Sequence, residues 1–321
     1  MPSIYVHDKL SRDISSNTEI NINNNSYIRI FGQSFDHLFS YNVMNFKTGK
    51  KYRKLGHYAH THKVWEYFYN IITYIKNNNL YENEECLSYL YGSLCHYSLD
   101  SIAHPYVHYI SGRFSRKNRK ETKKYIGNHA KNEIMLDALY YYKEHNETYY
   151  TYKIFNELFP KVNFSDELKK LIDYAYEKTF NEREMGSIYY KAYLYNKKVY
   201  RLLMFDRLGF KTLIYKIVDV LTPLKKFKAK NYSHHVKKLD YSVLNEKHDT
   251  WLHPINGEKS NKSFQDLYDE AYKLTLKRID IVNKYFKGTN TIEEVKKVIG
   301  NISYSSGLDC DIRANFQYFK Y

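Results

Sequence analysis

The chain has 321 residues, a formal charge of +15, three cysteines and 37 tyrosines, enough length for one large domain or two with an ample core. The odd cysteine count and the lack of a C-x-x-C pair argue against a disulfide framework. The most apolar segment, Leu202 to Leu224, is broken by Asp206, Arg207, Lys211, Lys216 and Asp219 and is too polar to span a membrane. The start, Met1 to His7, lacks the basic and apolar regions of a signal peptide, so a cytoplasmic address is the simplest expectation. The charge favours phosphate-bearing substrates, nucleic acid or an anionic lipid surface, or else is a generally basic exterior.

In chain order, residues 1–16 suit a helix in which His7 shares a face with Leu10 and Ile14. Ser15 to Asn25, rich in Asn and Ser, reads as a loop. Gly32-Gln33-Ser34-Phe35-Asp36 is a turn that delivers a carboxylate just ahead of an apolar run, so Asp36 is either a helix N-cap or a site group. His57, His60 and His62 follow closely, a metal-type concentration or a chance surface cluster, and lead into the amphipathic stretch Val64 to Ile72. After a turn at Asn77 to Asn79 comes a helix through His96, with Gly92 permitting close packing and Pro105 constraining the chain beyond it. The basic segment Gly112 to Lys124 connects to a helix through His129.

His96, Asp100 and His104 stand four apart, and so do His129, Glu133 and Asp137. A helix turns about 100° per residue, so each set lies along one narrow face. Paired, the two helices aim six ligand-type groups at one cavity. That mixture of nitrogen and oxygen donors suits zinc or a related divalent metal, with more than one ion. The plainer alternative is a few buried histidines and solvated carboxylates.

Beyond residue 150 the pattern stays helical, as in Leu168-Leu171-Ile172-Ala175 and Tyr189-Ala192-Tyr193. A basic connector, Lys225 to Lys238, leads to Trp251-Leu252-His253-Pro254 and then to Ser263, placed as the N-cap of a helix from Phe264 to Tyr285. Strand signals are scarce. The chain therefore reads as all-α: a metal-binding helical core over residues 1–150 and a helical extension packed on it over 151–321.

Met1 to His7, Phe35-Asp36-His37-Leu38-Phe39, Gly56 to His60, Leu94 to Asp100 with His104-Pro105-Tyr106, and His129 to Asp137 together resemble the zinc-dependent phospholipase C family, nearest to its short, leaderless bacterial members. Trp251 to Pro254, Ser260 to Phe264 and Ser306 to Cys310 are similar to motifs of the same relatives. The resemblance implies a multi-helix bundle, shared with trinuclear-zinc single-strand nucleases, holding two or three zinc ions. By position, Asp36, His60, His96 and Asp100 would hold one ion, and His104, His129 and Glu133 a second. His7 would share Asp100 with a third, and Asp137 would orient a ligand. In secreted relatives an N-terminal Trp completes the third site. This chain has none, and an amine on Pro2, were Met1 removed, is the substitute. The family's histidine after the Asp100 position follows a proline, whereas His104 precedes Pro105, so His108 is the alternative ligand; His57 is the alternative to His60.

The activity this implies is hydrolysis of a phosphodiester, in a phospholipid headgroup for example, by metal-bound hydroxide attacking phosphorus, with Asp36 a ligand or the base that orients the water. Two other readings stay open. One is a single-strand nuclease with tyrosines as stacking platforms, nucleic acid being the less expected substrate. The other is a non-catalytic, metal-stabilised helical module that binds partners or touches an anionic membrane.

Overall fold

The computed structural model describes residues 4–17, 20, 22, 25–43, 45–113, 115, 117–147, 152–222, 228–313 and 315–320. Among them are thirteen α-helices and one pair of two-residue strands, so the chain is all-α as expected. Residues 225–227 of the basic connector fall outside the description.

The core helix is α5 (Glu84–Ser111), started by the Asn83 side chain, which accepts from the Cys86 amide at 3.0 Å, and by Glu84 and Glu85 against the positive end of the helix dipole. Its buried residues fall on every face, the pattern of a helix enclosed by others rather than lying on a surface. Packed around it are α1 (Tyr5–Ser15), α2 (Asn25–Phe31), α4 (Val64–Asn77), α7 (Asn128–His145), α9 (Asp166–Phe180) and α12 (Phe264–Phe286). The remaining helices are α3 (Phe46–Ala59), α6 (Arg119–Thr122), α8 (Tyr152–Leu158), α10 (Met185–Val199), α11 (Phe210–Leu221) and α13 (Ile292–Ile299). The strands Trp251–Leu252 and Lys259–Ser260 pair antiparallel, with Trp251 opposite Ser260.

Local sequence explains most boundaries. Ser263 and Asp266 form a reciprocal capping box at α12, and Thr291 and Glu294 another at α13. Gly92 lets α2 close on α5, since a Cβ there would stand 2.7 Å from the Ile28 carbonyl oxygen. Tyrosine serves as core filler, and several of its hydroxyls are satisfied by backbone carbonyls. Tyr189 donates to the Ser34 carbonyl at 2.7 Å, Tyr106 to Val243 at 3.0 Å and Tyr97 to Ile299 at 3.0 Å.

Pro105 does not end the ladder helix. It sits inside α5, which runs on to Ser111. A proline in a helix leaves the carbonyl four residues back without its amide partner. Here that carbonyl, on Ser101, is covered by Gly307, whose φ is +67° and whose Cβ, were there one, would lie 2.5 Å from the oxygen. The break is absorbed by tertiary packing from the far end of the chain.

Residues after 150 lie against those before it. α12 packs along α5, and α10 packs against the 3-10 turn Ser34–Ser40. Arg278, only 3% exposed, donates to Ser98 Oγ and to the Ile299 carbonyl, both at 2.9 Å, and stacks 3.8 Å from the Tyr97 ring centre.

Candidate metal centre

Because α5 is central, its His96, Asp100 and His104 face points into the protein, with His96 and Asp100 buried and His104 nearly so. Asp100 is the hub. Its Oδ2 lies 3.2 Å from His96 Nε2 and 4.0 Å from His60 Nε2. Its Oδ1 lies 3.1 Å from His7 Nε2 and 3.5 Å from His104 Nε2. Asp36 comes from the Ser34–Ser40 turn, and its Oδ1 lies 3.1 Å from His60 Nε2 while Oδ2 lies 3.8 Å from His96 Nε2. Being inside that turn, Asp36 caps no helix; its side chain is directed at the histidines. From α7, Glu133 Oε1 lies 2.9 Å from His129 Nε2 and 3.2 Å from His104 Nε2.

Backbone carbonyls set the imidazole tautomers. His96 Nδ1 donates to Gly32 at 3.0 Å, His60 Nδ1 to Gly56 at 2.6 Å and His104 Nδ1 to Tyr304 at 2.9 Å. A carbonyl only accepts, so each Nδ1 carries a proton, and each ring, when neutral, turns its Nε2 lone pair inward. His60 Nε2 and His96 Nε2 then face one another at 3.4 Å. Asp36 Oδ1 and Oδ2, Asp100 Oδ2 and Glu133 Oε2 are buried without a hydrogen-bond partner among the described residues. Lone pairs facing lone pairs and orphaned carboxylate oxygens are mutually repulsive unless a cation lies among them. Two atoms each about 2.0–2.2 Å from one tetrahedral zinc stand roughly 3.3–3.5 Å apart, which the separations here approach. The donor set therefore fits divalent metal. The atoms fall into three groups: His7, His96 and Asp100; Asp36, His60 and His96; and His104, His129 and Glu133.

Charge gives the same answer. Burial by itself would raise the carboxyls of Asp36, Asp100 and Glu133, but facing imidazoles outweigh it. His96 and His60 hold Asp36 down, His104, His96 and His7 hold Asp100 well below the carboxylate range, and His129 and His104 depress Glu133. Burial also works against a charged His104, yet Asp100 and Glu133 overcome it and push its pKa up to about 9. Three buried carboxylates thus demand compensating positive charge, from protons or from metal.

The alternates fall beside this cluster. His57 is exposed and lies tilted against Phe39 with ring centres 4.6 Å apart. His108 Nε2 lies 3.2 Å from Ser305 Oγ, and its ring centre is 4.5 Å from that of His129. Burial first, then the neighbouring His129 and His104, drives its pKa far down. Neither belongs to the three groups. Asp137, though four residues past Glu133 on α7, turns to the start of α1. Its Oδ2 accepts from the amides of Ile4 at 2.8 Å and Tyr5 at 3.0 Å, and its Oδ1 from Val6 at 3.0 Å. It leaves the six-group cavity drawn from spacing and fixes the helix that carries His7, favourably placed at a helix N-terminus. Pro2 lies outside the described residues.

Sequence reasoning missed Gly32, Gly56 and Tyr304, which act through their carbonyls, and Ser305. Tyr304 also accepts His60 into its reach, since its amide donates to the His60 carbonyl at 2.9 Å and its ring centre lies 5.2 Å from the His60 ring. The only signal was position, just before the quoted Ser306 to Cys310 motif. Asp36, His60, His104, His129, Glu133 and Ser305 line a cavity of about 230 Å³.

The zinc-dependent phospholipase C family model matches residues 22–182. The chain belongs to that family. The matched span holds every member of the three groups except His7. No curated protein and no solved structure matches the chain.

Proposed function

We propose that the protein is a zinc-dependent phosphodiester hydrolase of the phospholipase C type. Asp36, His60, His96 and Asp100 would hold one zinc, His104, His129 and Glu133 would hold a second, and His7 with Asp100 would hold a third. When bound, zinc polarises a phosphoryl oxygen and lowers the pKa of water so that hydroxide is available near neutral pH. Asp36 would be the catalytic residue: its Oδ2, without a hydrogen-bond partner among the described residues, would orient the attacking water and take its proton. The Nδ1 protons stay on the carbonyls of Gly32, Gly56 and Tyr304, keeping the rings in ligand orientation. The cavity of about 230 Å³ beside these groups admits a phosphodiester headgroup, and the net charge of +15 draws anions toward it.

The observation that carries this reading is the set of inward Nε2 lone pairs facing buried carboxylate oxygens, in a member of a zinc-dependent family. Elemental analysis beside hydrolysis of a chromogenic phosphocholine ester and of single-stranded DNA tests it. Two or more zinc ions and ester turnover are expected. Turnover of DNA alone would make the protein a nuclease, and zinc-dependent melting with no turnover a binding module. His96→Ala and Asp100→Asn should each strip zinc, lower the melting temperature and reduce turnover by about 100-fold or more. Unchanged zinc stoichiometry in both variants refutes the ligand assignment.

A further inference from the structure

The helix α11 is attached the wrong way round for a soluble surface. Phe210, Leu213, Ile214, Ile217 and Leu221 recur at helical spacing and form one continuous stripe. A helix with such a stripe ordinarily turns it into the core. None of the α11 residues is buried here, and these five are exposed by 53% to 74%. What fastens α11 to the protein is its polar side. Thr212 donates to Asp206 from its amide at 2.7 Å and from its hydroxyl at 2.8 Å, Tyr215 donates to the Leu203 carbonyl at 2.6 Å, and Asp219 accepts from the Ala229 amide at 2.6 Å and the Lys230 amide at 3.1 Å. Leu202 and Leu208, 65% and 72% exposed, extend the apolar surface into the preceding turns.

The charges around the stripe have one sign. Arg201, Arg207 and Lys216 are exposed. Of the two carboxylates of the stretch, Asp206 is buried and Asp219 half-buried, and both accept hydrogen bonds from the protein. An apolar stripe rimmed by cations matches a bilayer interface, where acyl chains take the former and anionic headgroups the latter. A second copy of this chain docked on the stripe would instead bring like charges together on a protein already at +15. No described helix is long and apolar enough to cross a membrane, so contact is in the plane of the surface.

We propose that α11 is an interfacial membrane anchor, lying in the headgroup layer of an anionic bilayer with its apolar stripe among the acyl chains. Its position gives the contact a purpose. Asp219 holds the 3-10 turn Ala229–Tyr232, and Asn231 of that turn donates to the Ile126 carbonyl at 3.2 Å, directly before α7 and its His129 and Glu133. One short turn thus separates the anchor from the start of the helix that supplies the second metal group. This orientation of the centre toward headgroups rests on the hydrolase reading; the docking itself does not.

The test is cosedimentation of the zinc-loaded full chain with phosphatidylcholine vesicles, with and without phosphatidylglycerol, beside turnover of a soluble phosphocholine ester. The wild type is expected to bind the anionic vesicles and to release as salt rises. Leu213→Asp with Ile217→Asp should weaken binding about tenfold or more, and Arg201→Glu with Lys216→Glu should abolish the preference for anionic vesicles. Both pairs should keep the zinc content, the melting temperature and turnover of the soluble ester. Failure of the wild type to bind, or equal binding by the Leu213/Ile217 pair, overturns the proposal. So does a dimer of the wild type that this pair dissolves, since a second copy would then cover the stripe. Vesicle binding without ester turnover would sink the hydrolase reading and leave the anchor standing.

Discussion

Asp100 is the residue on which the centre turns, because each of its oxygens serves a different set of imidazoles. Oδ2 belongs with His96 and His60, Oδ1 with His7 and His104. With Asp36 and Glu133 it places three carboxylates in the interior, and without metal the protein compensates by protonating histidine. His104 records this, its pKa raised to about 9 against the cost of burial by Asp100 and Glu133. A zinc ligand must be neutral imidazole, so zinc uptake near neutral pH expels that proton. Calorimetric titration of the metal-free protein with zinc should show release of about one proton through His104, read from heats in buffers of different ionisation enthalpy. The sign for stability follows. A raised folded pKa stabilises the metal-free form fully below about 6.5, the unfolded value, and that contribution is lost as pH rises through about 9. The melting temperature of the metal-free protein should fall over that window while the zinc-loaded form stays level. Buffer-independent heats and parallel pH profiles would contradict this account.

At the scale of elements, the centre depends on how closely α2 lies on α5. Gly92 makes that approach, and Gly32, the residue after α2, supplies the carbonyl that holds His96 Nδ1. Gly92→Ala gains about 1 kcal/mol of helix propensity but meets Ile28 O and Phe31 Cβ at 2.7 Å, and overpacking of that kind costs about 1–3 kcal/mol. Urea denaturation should therefore show Gly92→Ala no more stable than wild type and Gly92→Val clearly less so, with zinc affinity lowered in step as Gly32 moves. A stabilised Gly92→Ala protein would mean that α2 shifts at no cost. The ladders His96-Asp100-His104 and His129-Glu133 were legible because helical periodicity writes a shared face into the numbering. Asp137 kept the spacing yet left the site, since periodicity fixes a face and not the depth at which a neighbour waits. Asp36 was legible as a carboxylate beside a turn, but whether it capped a helix depended on where the turn began. Gly32, Gly56 and Tyr304 act by backbone carbonyls, which no side-chain pattern announces. Pro105 gives no sign in its own neighbourhood that the Ser101 carbonyl it frees is covered by Gly307, more than two hundred residues away.

Across the whole molecule, the centre is closed from both ends of the chain. The start contributes His7 on a helix pinned by Asp137. The end contributes the loop through Tyr304, which contacts His60 by its amide and His104 by its carbonyl. This loop is seated on α5 where Gly307 meets the Ser101 carbonyl, so the helix interruption at Pro105 and the C-terminal motif form one joint. Any side chain at position 307 must fit a Cβ 2.5 Å from that oxygen at a φ of +67°, a conformation that costs a non-glycine residue energy as well. Gly307→Ala should therefore lift the loop from α5, loosen the hold on His104 Nδ1 and weaken zinc binding about 10–100-fold, the range expected when a ligand's outer partner is lost. Competition with a chelator reads the affinity, and circular dichroism checks that the helices remain. If affinity is unchanged while the fold persists, the C-terminal loop merely lies over the centre, and the residues before 150 hold zinc without it. If affinity falls as expected, the last turns of the chain complete a site whose ligands all lie in its first half.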